Sequence, residues 1–206
     1  MNFPQRGLYA ITRTHHEFNN QAQLLSEVSS AIAGGAVVVQ YRDKNSNNAP
    51  QYAQALLGLC HAHNVPLIIN DDVALAKTIG ADGVHLGKDD GDIERARAVL
   101  GKEAIIGVSC YNSVERALTA QAQGATYVAF GRFFPSNSKP LAAPAQLETL
   151  IEAKQRLTVP IVAIGGILPS NGLALLNAGA DLLAVIGGLF DNEAEESARA
   201  YHRLFD

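Results

Sequence analysis

Short apolar runs rich in Val, Ile and Leu alternate along the whole chain with longer stretches whose apolar positions recur every three to four residues. The runs fall at 8–12, 37–41, 66–69, 84–86, 105–108, 127–130, 161–164 and 182–186. Each is too short for a buried helix, and several are β-branched, so they read as strands buried on both faces. The stretches between them read as helices, the later ones at 73–79, 93–100, 114–123 and 170–177, with a last helix running to 205. Eight strands and eight helices in strict alternation require a parallel sheet.

The joints repeat as well. Gly35-Ala36, Gly80-Ala81-Asp82, Gly124-Ala125-Thr126 and Gly179-Ala180-Asp181 each close a helix and open an even-numbered strand, with glycine in the left-handed region. Val65-Pro66 and Val159-Pro160 precede the third and seventh strands. A unit of two strand-helix pairs, roughly 45 residues long, points to a closed ring. The expected fold is a (β/α)8 TIM barrel, α/β in class, forming one domain over 1–206; an open doubly wound sheet is the competing architecture.

With 206 residues, 48% of them hydrophobic, the chain can bury about 70% of its unfolded surface around one core. A formal charge of -4 argues against nucleic-acid or anionic-membrane partners, which need a basic face. Cys60 and Cys110 have neither metal-site nor disulfide spacing around them. No run has signal-peptide or membrane-span character, so the expectation is a cytoplasmic protein with reduced thiols.

Chemistry in such a barrel belongs where strands end. The second strand delivers Gln40, Arg42 and Lys44, the third Asn70 and Asp71, the fourth Lys88 to Asp90, the fifth Ser109. The sixth leads into a long loop carrying Ser136, Ser138 and Lys139; Gly165-Gly166 and Ile186-Gly187-Gly188 follow the seventh and eighth. Two carboxylates on adjacent strand ends, Asp71 and Asp90, suit Mg²⁺, a hard cation that takes oxygen ligands and substrate phosphates. The glycines suit a phosphate at the mouth of strands seven and eight. Arg42, Lys44 and Lys139 around a cation would make a stronger anion site opposite, fit for pyrophosphate.

Each feature also has a plainer reading. Asp71 or Asp72 is a natural cap for the following helix, a glycine pair is often a turn, and loop charges are often solvated. His15-His16 lie after the first strand, where they could reach substrate. His85, between inward Val84 and Leu86, reads as a hydrogen-bonded core residue, and Cys110 has no partner base to make it a nucleophile.

Six segments in order, Gln40-Tyr41-Arg42-Asp43-Lys44, Ile68-Ile69-Asn70-Asp71-Asp72, Gly83-Val84-His85-Leu86-Gly87, Gly107-Val108-Ser109, Pro135-Ser136-Asn137-Ser138-Lys139 and Ala163-Ile164-Gly165-Gly166-Ile167, resemble the thiamine-phosphate synthase (thiamine-phosphate pyrophosphorylase) family over nearly the whole chain. The resemblance implies a transferase of thiamine biosynthesis. It would condense 4-amino-2-methyl-5-(diphosphooxymethyl)pyrimidine with a thiazole phosphate, carboxylated or not, and release pyrophosphate with Mg²⁺, one ion per subunit. It also implies roles: Gln40, Tyr41, Arg42, Asp43, Lys44, Asn70, Ser109 and Lys139 for the pyrimidine diphosphate, and Ser136, Asn137, Ser138, Gly166, Ile186 and Gly187 for the thiazole phosphate. Asp71 and Asp90 would hold the metal, and Arg42, Lys44 and Lys139 would stabilise the leaving group.

Ser136 and Ser138 stand where the family commonly has threonine, Lys88 where it often has Gln, and Gly187 where Ser is frequent; Pro140 follows the loop lysine. Relatives of the same fold act as thiazole tautomerases or as non-catalytic regulators that bind thiazole phosphate. Both should lack Lys44, Asp90 and Lys139, which are present here. The expected partners are two small phosphorylated substrates, with homo-oligomerisation left open.

Overall fold

The computed structural model describes residues 1–14, 20–43, 49–87, 92–135 and 144–206. Strands and helices alternate as β1 (Gly7–Ile11), α1 (Gln21–Ala33), β2 (Ala36–Tyr41), α2 (Ala49–Ala62), β3 (Leu67–Asn70), α3 (Val73–Ile79), β4 (Gly83–Leu86) and α4 (Ile93–Leu100). The second half continues as β5 (Ile105–Tyr111), α5 (Val114–Ala122), β6 (Tyr127–Gly131), α6 (Leu147–Arg156), β7 (Ile161–Ile164), α7 (Pro169–Asn177) and β8 (Leu182–Val185). The strands close in chain order into one parallel barrel, with β8 pairing β1, so the open-sheet alternative is excluded.

Two departures from the sequence pattern bear on the site. The expected last helix is two, α8 (Gly187–Phe190) and α9 (Ala194–His202), ending in a 3-10 turn at Arg203–Phe205. Asp191 and Asn192, residues that favour turns, separate them. The fifth strand runs on to Tyr111, so Ser109 lies within β5 rather than beyond it.

Period-2 alternation divides the strand residues between two cores. Tyr9, Ile11, Val38, Ile68, Ile105, Tyr127, Ala129, Val162, Leu182 and Ala184 fill the barrel interior. Their neighbours Leu8, Ala10, Val39, Tyr41, Leu67, Ile69, Val84 and Leu86 face outward, onto Leu24, Val28, Leu56, Leu150 and Leu175 of the helices. Phe3, just before β1, stacks on Tyr127 with ring centroids 4.1 Å apart and closes the barrel from below.

The glycine joints have a physical role beyond ending helices. Gly35, Gly80, Gly124 and Gly179 all adopt positive φ, from 70° to 117°. In three of the four joints, a polar residue two positions later locks onto the first turn of the neighbouring odd strand. Asp82 accepts from Leu67 N at 2.9 Å, Thr126 from Ile106 N at 3.0 Å and Asp181 from Ile161 N at 2.9 Å. Each returns a backbone bond, from Asp82 N to Leu67 O, Thr126 N to Ile106 O and Asp181 N to Ile161 O. These reciprocal pairs sit below the barrel, where they set strand register.

Candidate active site

Because every strand pair is parallel and the ring is closed, all strand C-termini open onto one rim. Gln40 lies near the end of β2, buried and pointing inward; Arg42 follows, its backbone N–H donating to Thr12 Oγ1 at 3.0 Å. Thr12, buried just past β1, also donates its own N–H to Gln40 O at 2.9 Å, so the first two strand ends are stitched together beneath Arg42. Tyr41 behaves differently. It faces the helix layer, buried, and its hydroxyl donates to Asp43 at 3.1 Å, so it braces the end of β2 from outside rather than lining the mouth.

Asn70 ends β3 in register with His85, and Asp71 follows with φ 64°, a conformation that non-glycine residues rarely adopt. The bend lets Asp71 N donate to His85 O at 2.8 Å, continuing the β3 to β4 pairing past the strand end. The capping role falls to Asp72, which accepts from Leu75 N at 2.8 Å at the start of α3. Asp71 is thereby spared for the rim, where its carboxylate accepts from Asn70 Nδ2 at 2.6 Å.

His85 is the main correction to the sequence reading. It is a buried, hydrogen-bonded residue as expected, but Val84 and Leu86 point out to the helices and His85 points into the barrel. There its Nε2 lies 2.9 Å from Ser109 Oγ and its Nδ1 2.9 Å from Tyr127 Oη. Tyr127 Oη meets Tyr9 Oη at 2.8 Å, and Gln40 Nε2 donates to Tyr9 Oη at 2.8 Å. A continuous polar chain thus crosses the barrel from Gln40 on β2 to Ser109 on β5. Burial pushes the phenols of Tyr9 and Tyr127 well above their usual range, so both stay protonated and remain donors. Neither tyrosine stood out in the sequence; the signal was an aromatic hydroxyl at an inward strand position, Tyr9 two residues before Ile11.

On the far side of the rim, Gly165 and Gly166 follow β7 with φ 102° and 64°. A Cβ on Gly165 would come within 2.3 Å of Arg132 Cβ, and one on Gly166 within 2.3 Å of Pro135 O. Phe133 N and Phe134 N donate to Ile164 O and Gly165 O, so the glycines are needed to let the start of the sixth loop lie across them. Arg132, at the end of β6, joins the rim at this point and was not anticipated. Ile186 packs toward the barrel interior ahead of Gly187, the first residue of α8.

The described residues therefore bring Gln40, Arg42, Asn70, Asp71, Ser109, Gly166, Ile186 and Gly187 to one mouth. Lys44, Lys88, Asp90, Ser136, Asn137, Ser138, Lys139 and Pro140, with His15 and His16, lie outside the described residues. Among the described residues no cluster of three or more His, Cys, Asp or Glu side chains is poised to hold a metal. No described helix is long and apolar enough to cross a membrane.

Comparison with known proteins decides the family. The model of thiamine monophosphate synthase matches residues 8–189. The chain belongs to the thiamine monophosphate synthase family. It is 51% identical to the thiamine-phosphate synthase of Nitrosococcus oceani over 96% of this chain and 91% of that protein. It is 57% identical to that of Saccharophagus degradans over 86% of this chain and 83% of that protein. Among solved structures, the thiamine phosphate pyrophosphorylase of Pyrococcus furiosus superposes with a TM-score of 0.86 at 30% identity, covering 97% of this chain and 95% of that one. A member of the thiamine monophosphate synthase family is a transferase of thiamine biosynthesis, and so is this chain.

Proposed function

We propose that the chain condenses the diphosphate of an aminopyrimidine methanol with a thiazole phosphate, releasing pyrophosphate and forming thiamine phosphate. The observation that carries this reading is the convergence of Gln40, Arg42, Asn70, Asp71 and Ser109 on one side of the barrel mouth, with the glycines of β7 and β8 on the other. Two anionic substrates can then face each other across a mouth roughly one barrel wide.

In this reading the carbon–oxygen bond of the pyrimidine breaks first, its electron pair leaving with pyrophosphate. The thiazole nitrogen lone pair then forms the new carbon–nitrogen bond to the pyrimidine-methyl cation. No proton moves in either step, so no general base is needed; the protein's task is to stabilise charge on the departing group. Arg42 does this from β2, joined by Lys44 and Lys139. Gly166, Ile186 and Gly187, with Ser136, Asn137 and Ser138, hold the thiazole phosphate.

Asp71 fits a role as Mg²⁺ ligand. It is an oxygen donor released from capping by Asp72 and oriented by Asn70, and Asp90 would supply the second carboxylate. The ion, when bound, neutralises charge on the diphosphate. The Asn70 and Asp71 side chains hold that corner of the mouth in place, and Gln40 and Ser109 receive the pyrimidine.

Incubation of the protein with both phosphorylated precursors and Mg²⁺ tests the proposal. Thiamine phosphate and pyrophosphate should appear in equal amounts. Isomerisation of a thiazole phosphate with no pyrophosphate released would instead place the protein with the tautomerases.

A further inference from the structure

We propose that His85 is a positioning residue for the pyrimidine subsite: with Tyr127 and Tyr9 it forms a one-directional hydrogen-bond relay that makes Ser109 a donor and Gln40 an acceptor toward the bound ring. The proposal rests on the functional reading above, which places Gln40 and Ser109 on the pyrimidine.

The direction follows from counting protons. Gln40 donates through Nε2 to Tyr9 Oη, and each tyrosine has one proton to give. Tyr9 is fully enclosed, and its hydroxyl meets only Gln40 and Tyr127 among the described residues. If Tyr127 donated to Tyr9, the Tyr9 proton would have no acceptor at the centre of the barrel, an arrangement that buried hydroxyls avoid. Tyr9 therefore donates to Tyr127, and Tyr127 in turn donates to His85 Nδ1 across 2.9 Å. With Nδ1 accepting, the neutral imidazole carries its proton on Nε2, which donates to Ser109 Oγ.

Both ends of the relay are consequently polarised. Ser109 Oγ accepts a hydrogen bond from inside the barrel, from His85 Nε2–H, and turns its own O–H toward the mouth. Gln40 commits one of its two amide N–H groups to Tyr9, which anchors the side chain by its nitrogen and leaves Oε1 to accept. A ligand with a donor on one edge and an acceptor on the other matches this pair, as an aminopyrimidine does. His85 touches no substrate in this scheme; it acts through Ser109. The ring is also held in plane, stacked at 25° on Tyr127 with centroids 5.6 Å apart.

The ring nitrogens of His85 can be read directly by ¹⁵N NMR of the intact protein. The Nε2–H tautomer is expected in the wild type, and an Nδ1–H tautomer would overturn the relay whatever reaction the protein catalyses. Tyr127→Phe removes the proton that selects this tautomer while keeping the ring. It should give a mixture of tautomers and raise KM for the pyrimidine diphosphate about tenfold, with KM for the thiazole phosphate within twofold of wild type. Equal changes in both KM values, or in neither, would reject His85 as a positioning group. If Tyr127→Phe does not unfold cooperatively, Tyr9→Phe is measured instead: it leaves Tyr127 with His85 Nδ1 as its acceptor among the described residues, so the Nε2–H tautomer should persist, and its loss would overturn the relay. A wild-type protein that makes no thiamine phosphate would discard the functional reading, while the tautomer spectrum would still decide the relay.

Discussion

Asn70 holds the Asp71 carboxylate across 2.6 Å, at the point where β3 ends and the chain turns through a positive φ. The neighbouring Asp72 spends its own carboxylate on the cap of α3. Two adjacent aspartates thus have separate tasks, one at the mouth and one in the fold. Asp71→Asn should lower turnover at least a hundredfold, on the order of losing one transition-state donor, and leave the urea midpoint nearly unchanged. Asp72→Ala should do the reverse, costing about 1 kcal/mol of stability with near-normal turnover. Paired measurements of pyrophosphate release and urea denaturation check both; equal loss of activity in the two variants would refute the division.

In the proposed reaction, Lys139 and Asp90 would supply the charge that a diphosphate-releasing enzyme needs and a thiazole isomerase of the same fold does not. Lys139→Ala and Asp90→Asn should each reduce turnover by about a hundredfold or more. Near wild-type rates in both, followed by the same pyrophosphate assay, would discard the assignment.

Gly107 faces the Tyr127 ring so closely that a Cβ would lie 2.0 Å from its Cζ and 2.3 Å from its hydroxyl. Gly107→Ala must therefore displace Tyr127, and the enclosed barrel interior offers little room for it. A loss of roughly 1–3 kcal/mol is expected from overpacking. Chemical denaturation measures it, and an unchanged midpoint would show that the barrel interior yields more readily than its packing implies.

Asp181 and Ile161 exchange two bonds below the barrel, far from the mouth. Removing the carboxylate in Asp181→Ala leaves Ile161 N–H without its side-chain acceptor, at a cost of about 1–3 kcal/mol. The kcat should not change. A fall in kcat at constant stability would mean that register at this end is transmitted to the rim.

The buried thiols predict an alkaline limit. Burial pushes both Cys60 and Cys110 from an ordinary 9.0 up to about 12; for Cys60 the nearby Asp82 charge adds to the effect, and for Cys110 Arg116 opposes it. Each thiol holds its proton more tightly folded than unfolded, so between pH 9 and about 12 the native state binds more protons. Stability is complete below pH 9 and declines above it, by up to about 1.4 kcal/mol per pH unit for each thiol. Tyr9 and Tyr127 shift in the same direction and steepen the decline. Urea midpoints at pH 8 and 10.5 should differ accordingly; equal midpoints would show that the thiols are less enclosed than the fold implies.

Much of this molecule was legible in one dimension because its unit is local. A buried parallel strand is an apolar run, a helix has its own period, and a glycine closing each pair of units repeats at nearly fixed spacing. Those patterns sufficed for the barrel, and the barrel alone assigned Gln40, Asn70, Asp71 and Gly166 to one rim. Local patterns could not separate Asp71 from Asp72, since both precede a helix and either could cap it. Nor could they tell which way His85 faces, because Val84, His85 and Leu86 are all buried and polarity marks neither side.

By itself the amino-acid sequence determined the order of the strands and helices and pointed to a closed ring and to the end at which chemistry belongs, all consequences of periodicities a few residues long; the pairing of β8 with β1 closed the ring. Tertiary structure alone decided that Gln40, Tyr9, Tyr127, His85 and Ser109, from five different strands, share one chain of hydrogen bonds. Tyr9 and Tyr127 are 118 residues apart in sequence, and a contact at that separation leaves no local trace. Only the curvature of the closed sheet brings their hydroxyls to the same point on the barrel axis.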